Sequence, residues 1–176
     1  HPLQGNGTIL DGIGAERNQL LSLREKADVI IDTSDLNIHQ LSTKVSEGFS
    51  IDSDHRLQIT VMSFGFKYGV PADADLVSDA RFLPNPFWQE KLRPFTGEDA
   101  AVSEFVLEQQ GAEEFIMNYV AALKPVLAGY LRENKRYATI AVGCTGGKHR
   151  SVAVSRRIAS ELEKLPDVAV SIKHRD

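Results

Sequence analysis

The sequence predicts an α/β protein with an open, mostly parallel sheet and flanking helices. Three observations carry that prediction. "YATIAVGC" (137–144) is a continuous apolar run, the pattern of a strand buried on both faces. "LQITVMSFGF" (57–66) alternates and is rich in β-formers. Helical periodicity separates these runs, and strands alternating with helices fold as a parallel sheet. At 176 residues, with 42% apolar and 25% charged side chains, the chain can bury a core of ordinary globular composition.

Taken in order, residues 1–7 read as loop, and a helix runs from about Gly14 to Lys26. "ADVIIDTS" (27–34) predicts a short buried strand ending at Asp32, with Thr33 or Ser34 free to cap the next helix. "LNIHQLSTKV" (36–45) has helical spacing, and "GFSIDSDH" (48–55) is a turn. After the strand at 57–66 comes a loop containing Pro71. "LVSDARFLPNPFW" (76–88) then starts extended or helical and stops at Pro84 and Pro86. An ordered-looking loop, "KLRPFTGEDAAV" (91–102), leads to helices at about 101–109 and 112–132, the second kinked or broken at Pro125. The strand at 137–144, a helix over 149–164 and a last strand, "VAVSIKH" (168–174), complete the pattern. There are no repeats and no low-complexity tract.

Composition narrows the function. No apolar run approaches membrane-spanning length, no leader pattern opens the chain, and a lone cysteine fits a reducing compartment, so the expected location is cytoplasmic. Charge is uneven. Residues 132–176 hold ten Lys or Arg against five Asp or Glu, a net +5, which leaves −9 on the remainder of a chain of net −4. A basic end on an acidic protein is either a local anion site or a solvated helix face.

Ligands of parallel sheets sit at the carboxyl ends of the strands. Three polar segments follow predicted strands: "DTSDLN" (32–37), "SFGFKYG" (63–69) and "GCTGGKHRS" (143–151). Ser63, Gly65 and Lys67 are expected in one cleft with the third segment, with Asp32 near. Phe64 and Phe66 read as core, and His39 as an ordinary helix residue. In "GCTGGKHRS" the glycines allow a tight turn with exposed amides, the following helix adds partial positive charge, and Lys148 and Arg150 add formal charge. Thr145 and Ser151 supply hydroxyls. The alternative is a tight turn with surface cations.

The loop is no Walker A motif. Only three residues separate Gly143 from Gly147, and His149 follows Lys148 where a Ser or Thr is needed. Cys144, five residues, then Arg150 and Ser151 reproduces the spacing of cysteine-dependent phosphatases. Gly143 stands where those enzymes usually place His, and a general-acid Asp could come from Asp32, Asp73, Asp75 or Asp79. A small buried residue at a strand end is the other reading of Cys144.

"MSFGFKYGVPADADLVSDARFLPNPFW" (62–88), "LRPFTGEDAAV" (92–102) and "VGCTGGKHRSVAVS" (142–155) resemble the RapZ/YvcJ family of nucleotide-binding proteins and RNase adaptors. The resemblance runs from about Ala27 to the end. It implies that residues 1–31 are the tail of a P-loop domain or a linker, and that 32–176 form a C-terminal domain similar to a phosphofructokinase subdomain. ATP or GTP would belong to the preceding domain, and no cofactor, metal or catalytic residue is expected in these residues. The resemblance further implies a sugar-phosphate site, for a ligand such as glucosamine-6-phosphate. Its matched residues would be Thr145, Gly146, Lys148, His149 and Arg150, with Asn85 and Phe87 in and after "RFLPNP". Gly147 and Ser151 of the same turn, and Ser63, Gly65 and Lys67 at the neighbouring strand end, are expected to join them. Many members have His where this chain has Phe87. RNA would meet Lys148, Arg150, Arg156, Arg157, Lys173 and Arg175. A ribonuclease or regulatory protein and a homo-oligomer complete the implied partners.

Overall fold

A computed structural model describes residues 1–27, 29–49 and 56–176. The chain divides into two compact units, His1–Phe49 and 50–176, and residues 32–49 group with the first.

The first unit holds helices α1 (Ile9–Glu25) and α2 (Ile38–Phe49). α1 starts five residues ahead of the expected Gly14 because Thr8 and Asp11 form a reciprocal capping box. The Asp11 carboxylate accepts from the Thr8 amide at 2.7 Å, and the Thr8 hydroxyl accepts from the Asp11 amide at 3.3 Å. This early start overrides the low helix propensity of Gly12 and Gly14. Asn37 and Gln40 bond reciprocally at the start of α2, both at 2.9 Å. The strand expected at 27–34 does not form among its described residues. Val29 and Ile30 are exposed, and Asp32 instead turns onto Ser34, accepting from its amide at 3.0 Å and its hydroxyl at 2.6 Å. A strand needs a partner, and the described residues of this unit offer none. The turn expected at 48–55 lies, from residue 50 on, outside the described residues.

Among its described residues, the second unit is built on four strands: β1 (Leu57–Gly65), β2 (Leu76–Asp79), β3 (Tyr137–Cys144) and β4 (Val168–His174). All pair in parallel, in the order β2-β3-β1-β4. The two apolar runs are the two central strands. The edges, β2 and β4, expose Val77 and Ile172. The helices are α3 (Ala100–Leu107), α4 (Ala112–Arg132) and α5 (Arg150–Leu162). α4 and α5 pack on the sheet, and α3 packs on both helices.

The core lies between one sheet face and these helices. Leu57, Ile59 and Val61 of β1 and Ala138, Ile140 and Val142 of β3 point there, in register with strand alternation. They meet Val154, Ile158 and Leu162 of α5, spaced four apart on one helix face, and Ile116, Val120 and Leu123 of α4. Each fully buried aliphatic side chain contributes roughly 1.5–3 kcal/mol. The helix α4 runs unbroken through Pro125. Pro125 and Ala121 both lie on the exposed side, so water can satisfy the carbonyl that Pro125 leaves unpaired. Among the described residues, no helix is long and apolar enough to cross a membrane.

Candidate functional site

Register brings the strand ends together. Gly65 pairs with Cys144, Ser63 with His174, and Asp79 with Gly143. Beyond β3 the chain turns through residues 145–149 into α5. The turn lies directly on β1: a side chain on Gly65 would place its Cβ 2.7 Å from the Gly146 carbonyl carbon. Gly147 takes a φ of +80°, which favours glycine. From the other side the loop carrying Gly97 presses on the start of α5. The Gly97 amide donates to the Lys148 carbonyl at 2.9 Å, and a Cβ there would lie 2.2 Å from the His149 carbonyl oxygen.

These close approaches shape a cleft of about 710 Å³. Its floor is Cys144, Thr145, Gly146 and the first residues of α5's approach, Lys148, His149 and Arg150. Lys67, Tyr68, Asn85, Phe87, Trp88, Thr96 and Asp176 complete the lining.

Arg150 is only 5% exposed. Its Nη1 donates to the Arg81 and Leu83 carbonyls at 3.1 and 2.9 Å, and its Nη2 to the Thr145 hydroxyl at 3.1 Å. Nε is buried with no hydrogen-bond partner. The guanidinium therefore fastens the 81–83 segment to the glycine turn while lining the cleft. Lys148 Nζ donates to the Pro94 carbonyl at 2.8 Å. Lys67 Nζ lies 4.4 Å from the Tyr68 ring centre and overhangs the turn, 3.9 Å from where a Gly146 Cβ would be.

The titratable groups of the floor are shifted. Burial holds His149 below the ordinary imidazole value, helped by the charges of Lys148 and Arg150 and opposed by the Arg93 carbonyl. Burial pushes the Cys144 thiol up. The Ser151 hydroxyl and amide, the Gly147 amide and Arg150 together outweigh it and hold the thiol below its usual value. Cys144 Sγ lies 3.1 Å from the Ser151 hydroxyl and accepts from the Gly147 amide at 3.3 Å. Asp176 is held low first by Arg175, whose Nη2 donates at 2.7 Å, and also by the Gly65 amide at 2.7 Å.

Eight expected site residues line the cleft: Lys67, Asn85, Phe87, Thr145, Gly146, Lys148, His149 and Arg150. Four do not. Ser63 is fully buried and bonds His174 Nδ1 at 2.8 Å, so its hydroxyl serves the β1–β4 seam. Gly65 lies behind the turn, and Gly147 is packed on Gly65 and Asp176. Ser151 is buried against Cys144. Tyr68, Trp88, Thr96 and Asp176 line the cleft without having been singled out from sequence. Tyr68 and Trp88 adjoin residues that were, whereas no local pattern marks Asp176.

Among the expected RNA contacts, Arg156 pairs with Glu98 at 3.1 Å, and Arg157 with Glu113 and Glu161 at 2.7 and 2.6 Å. Arg175 pairs with Asp176, while Lys173 is exposed on β4. Two candidate general acids are likewise engaged: Asp75 with Lys135, and Asp79 with Arg81. Among the described residues, no group of three or more His, Cys, Asp or Glu is placed to hold a metal ion. Asp32 belongs to the first unit.

The family model for the RapZ C-terminal domain matches residues 57–176, and that for the RapZ-like N-terminal domain matches residues 1–53. The chain belongs to the RapZ family. It is 66% identical to a nucleotide-binding protein of Leifsonia xyli subsp. xyli. It is 67% identical to nucleotide-binding proteins of Clavibacter michiganensis subsp. michiganensis and Clavibacter sepedonicus. Each alignment covers all 176 residues and 60% of the relative, so the chain spans about 60% of the length of these curated RapZ-family relatives. The glycine turn and the whole cleft fall within the C-terminal match.

Proposed function

We propose that the second unit is a regulatory binding module whose cleft takes a phosphorylated metabolite, a sugar phosphate such as glucosamine-6-phosphate. The observation that carries this reading is the cleft floor. A glycine turn at the carboxyl ends of two central parallel strands leads into the N-terminus of α5, with Lys67, Lys148 and Arg150 gathered around it. Turn amides and a helix N-terminus favour an anion, and three cations against one internally bonded carboxylate favour it further. The relatives' description as nucleotide-binding proteins supports nucleotide binding by a chain of their length, and ATP or GTP is the nucleotide that the family resemblance implies. RNA or a partner protein such as a ribonuclease would read the liganded state, in a cytoplasmic homo-oligomer. RNA contact through Lys173 and neighbouring cations would be electrostatic, weakening steeply with salt.

The test is a melting-temperature panel of sugar phosphates, nucleotides and inorganic anions. A ligand at 100 times its Kd adds about 2.7 kcal/mol of stability. Sugar phosphates should raise the melting temperature above chloride controls. No shift with any phosphorylated compound would reject the reading.

A second reading, phosphate-ester hydrolysis, has one observation in its favour: Cys144 lines the cleft with its thiol held low, as a nucleophile requires. It predicts turnover of p-nitrophenyl phosphate that Cys144→Ser abolishes. No turnover by the unaltered chain would remove it.

A further inference from the structure

Among the described residues lining the cleft, Asp176 is the one carboxylate, set among Lys67, Lys148 and Arg150. The sheet fixes its place. β4 runs parallel to β1 and puts His174 beside Ser63, so the chain two residues on reaches the end of β1. There Asp176 Oδ2 accepts from the Gly65 amide and from Arg175 Nη2, both at 2.7 Å. The side chain packs on the glycine turn: a Cβ on Gly147 would lie 2.8 Å from the Asp176 Cβ. Against the effect of burial, Arg175 first, then the Gly65 amide and Lys67, keep the carboxyl ionised. An anion seated on this turn therefore sits beside a fixed negative charge.

That neighbour is hostile to some oxyanions and welcoming to others. A carboxylate only accepts hydrogen bonds. It repels a fully deprotonated oxyanion, and it gains a charge-assisted bond from a ligand with an O–H or N–H. Asp176 has acceptor capacity left. Oδ1 holds only a share of the Arg175 Nε, at 3.1 Å, and the side chain keeps 13% of its surface exposed. We propose that Asp176 is a specificity-determining residue, which admits anions that turn a hydrogen-bond donor toward it and rejects those that carry none. The donor is the P–OH of hydrogen phosphate, or a hydroxyl beside the phosphate of a sugar ester. Sulfate has neither. The proposal rests on the anion-binding reading above and adds the ligand chemistry that this carboxylate demands.

The experiment is isothermal titration of the 176-residue chain with inorganic phosphate and sulfate at mildly alkaline pH. Both ions are then tetrahedral and doubly charged, and only phosphate keeps a proton. The proposal expects phosphate to bind roughly tenfold or more tighter than sulfate. Asp176→Asn keeps an oxygen for the Gly65 amide and removes the charge. It should bind sulfate more tightly than the unaltered chain does, and bring the two ions within about threefold of each other. A melting curve checks that the variant folds, and a merely structural loss would weaken both ions alike and leave their ratio. Glucose 6-phosphate, whose phosphate has no proton at this pH, locates the donor. A loss of its affinity in Asp176→Asn puts a sugar hydroxyl against the carboxylate. A gain like that of sulfate assigns the donor to the P–OH alone, and both outcomes uphold a carboxylate that reads donors. Equal affinity of the unaltered chain for phosphate and sulfate would overturn the proposal while leaving the anion site standing. A preference that survives undiminished in Asp176→Asn would overturn it too. Failure of every anion to bind would overturn this proposal and the anion reading together.

Discussion

Arg150 and Trp88 line the same cleft, yet the first is 5% exposed and the second 76%. The contrast extends to their surroundings. Floor groups are held by the protein itself: Arg150 by two carbonyls and Thr145, Lys148 by Pro94, Cys144 by Gly147 and Ser151. At the rim, Phe87 packs on Trp88 and Arg93, and Lys67 on Tyr68. A change in the floor should therefore damage the fold and any anion site together. A change at the rim should affect ligand and leave the fold alone.

The largest expected effect is Gly97→Ala. Its new Cβ would meet the His149 carbonyl oxygen at 2.2 Å and the Ala153 amide nitrogen at 2.5 Å, and both are backbone atoms that move only if α5 moves. Overpacking of this kind should cost about 3 kcal/mol or more, read from denaturant melts. A change below about 0.5 kcal/mol, the scatter of ordinary surface substitutions, would mean that the floor is not rigid.

Arg150→Ala comes next. It leaves the Arg81 and Leu83 carbonyls without their donor, at a cost of roughly 2–3 kcal/mol, and lowers phosphate affinity in the same protein. Arg150→Lys should recover little of either, since an ammonium cannot span both carbonyls and Thr145. Stability unchanged in both variants would erase the distinction between floor and rim. Lys67→Ala should do the reverse. At the rim it should change stability by less than about 0.5 kcal/mol and weaken phosphate binding up to about tenfold, by titration.

The smallest effect is in pH. The unfolded His149 ring takes up a proton near its ordinary 6.5, and the buried ring does so only at lower pH. Below about 6.5 the unfolded chain thus binds more protons, and stability falls as pH falls. The drop in melting temperature between mildly alkaline and mildly acidic buffer should be smaller in His149→Gln. An equal drop in both proteins would place the titration elsewhere.

The floor was legible in the sequence because it is contiguous. Strand, glycine turn and helix follow one another in residues 137–162, and each announces itself by composition. The central strands were legible for the same reason. What escaped depends on pairing at a distance. Asp176 reaches the cleft only because β4 runs parallel to β1 in a register that sets His174 beside Ser63. The partners of Arg150 lie 69 and 67 residues away, so its spacing from Cys144 suggested a ligand grip and gave no hint of the clamp. Apolar composition at 27–34 suggested a strand, but composition does not supply a neighbour. Thr8 and Asp11 moved the start of α1 because one capping box outweighs two weak helix formers.

The central claim is that an anion sits on the floor of this cleft. Amide chemical shifts, followed by ¹⁵N NMR as inorganic phosphate is added, test it residue by residue. The account predicts saturable shifts at Thr145, Gly146, Lys148 and the first amides of α5. Lys67→Ala should weaken those shifts, and the Trp88 indole N–H should barely move with phosphate alone. Shifts confined to the outer cations Arg156, Arg157 and Lys173, with the turn amides still, would contradict it.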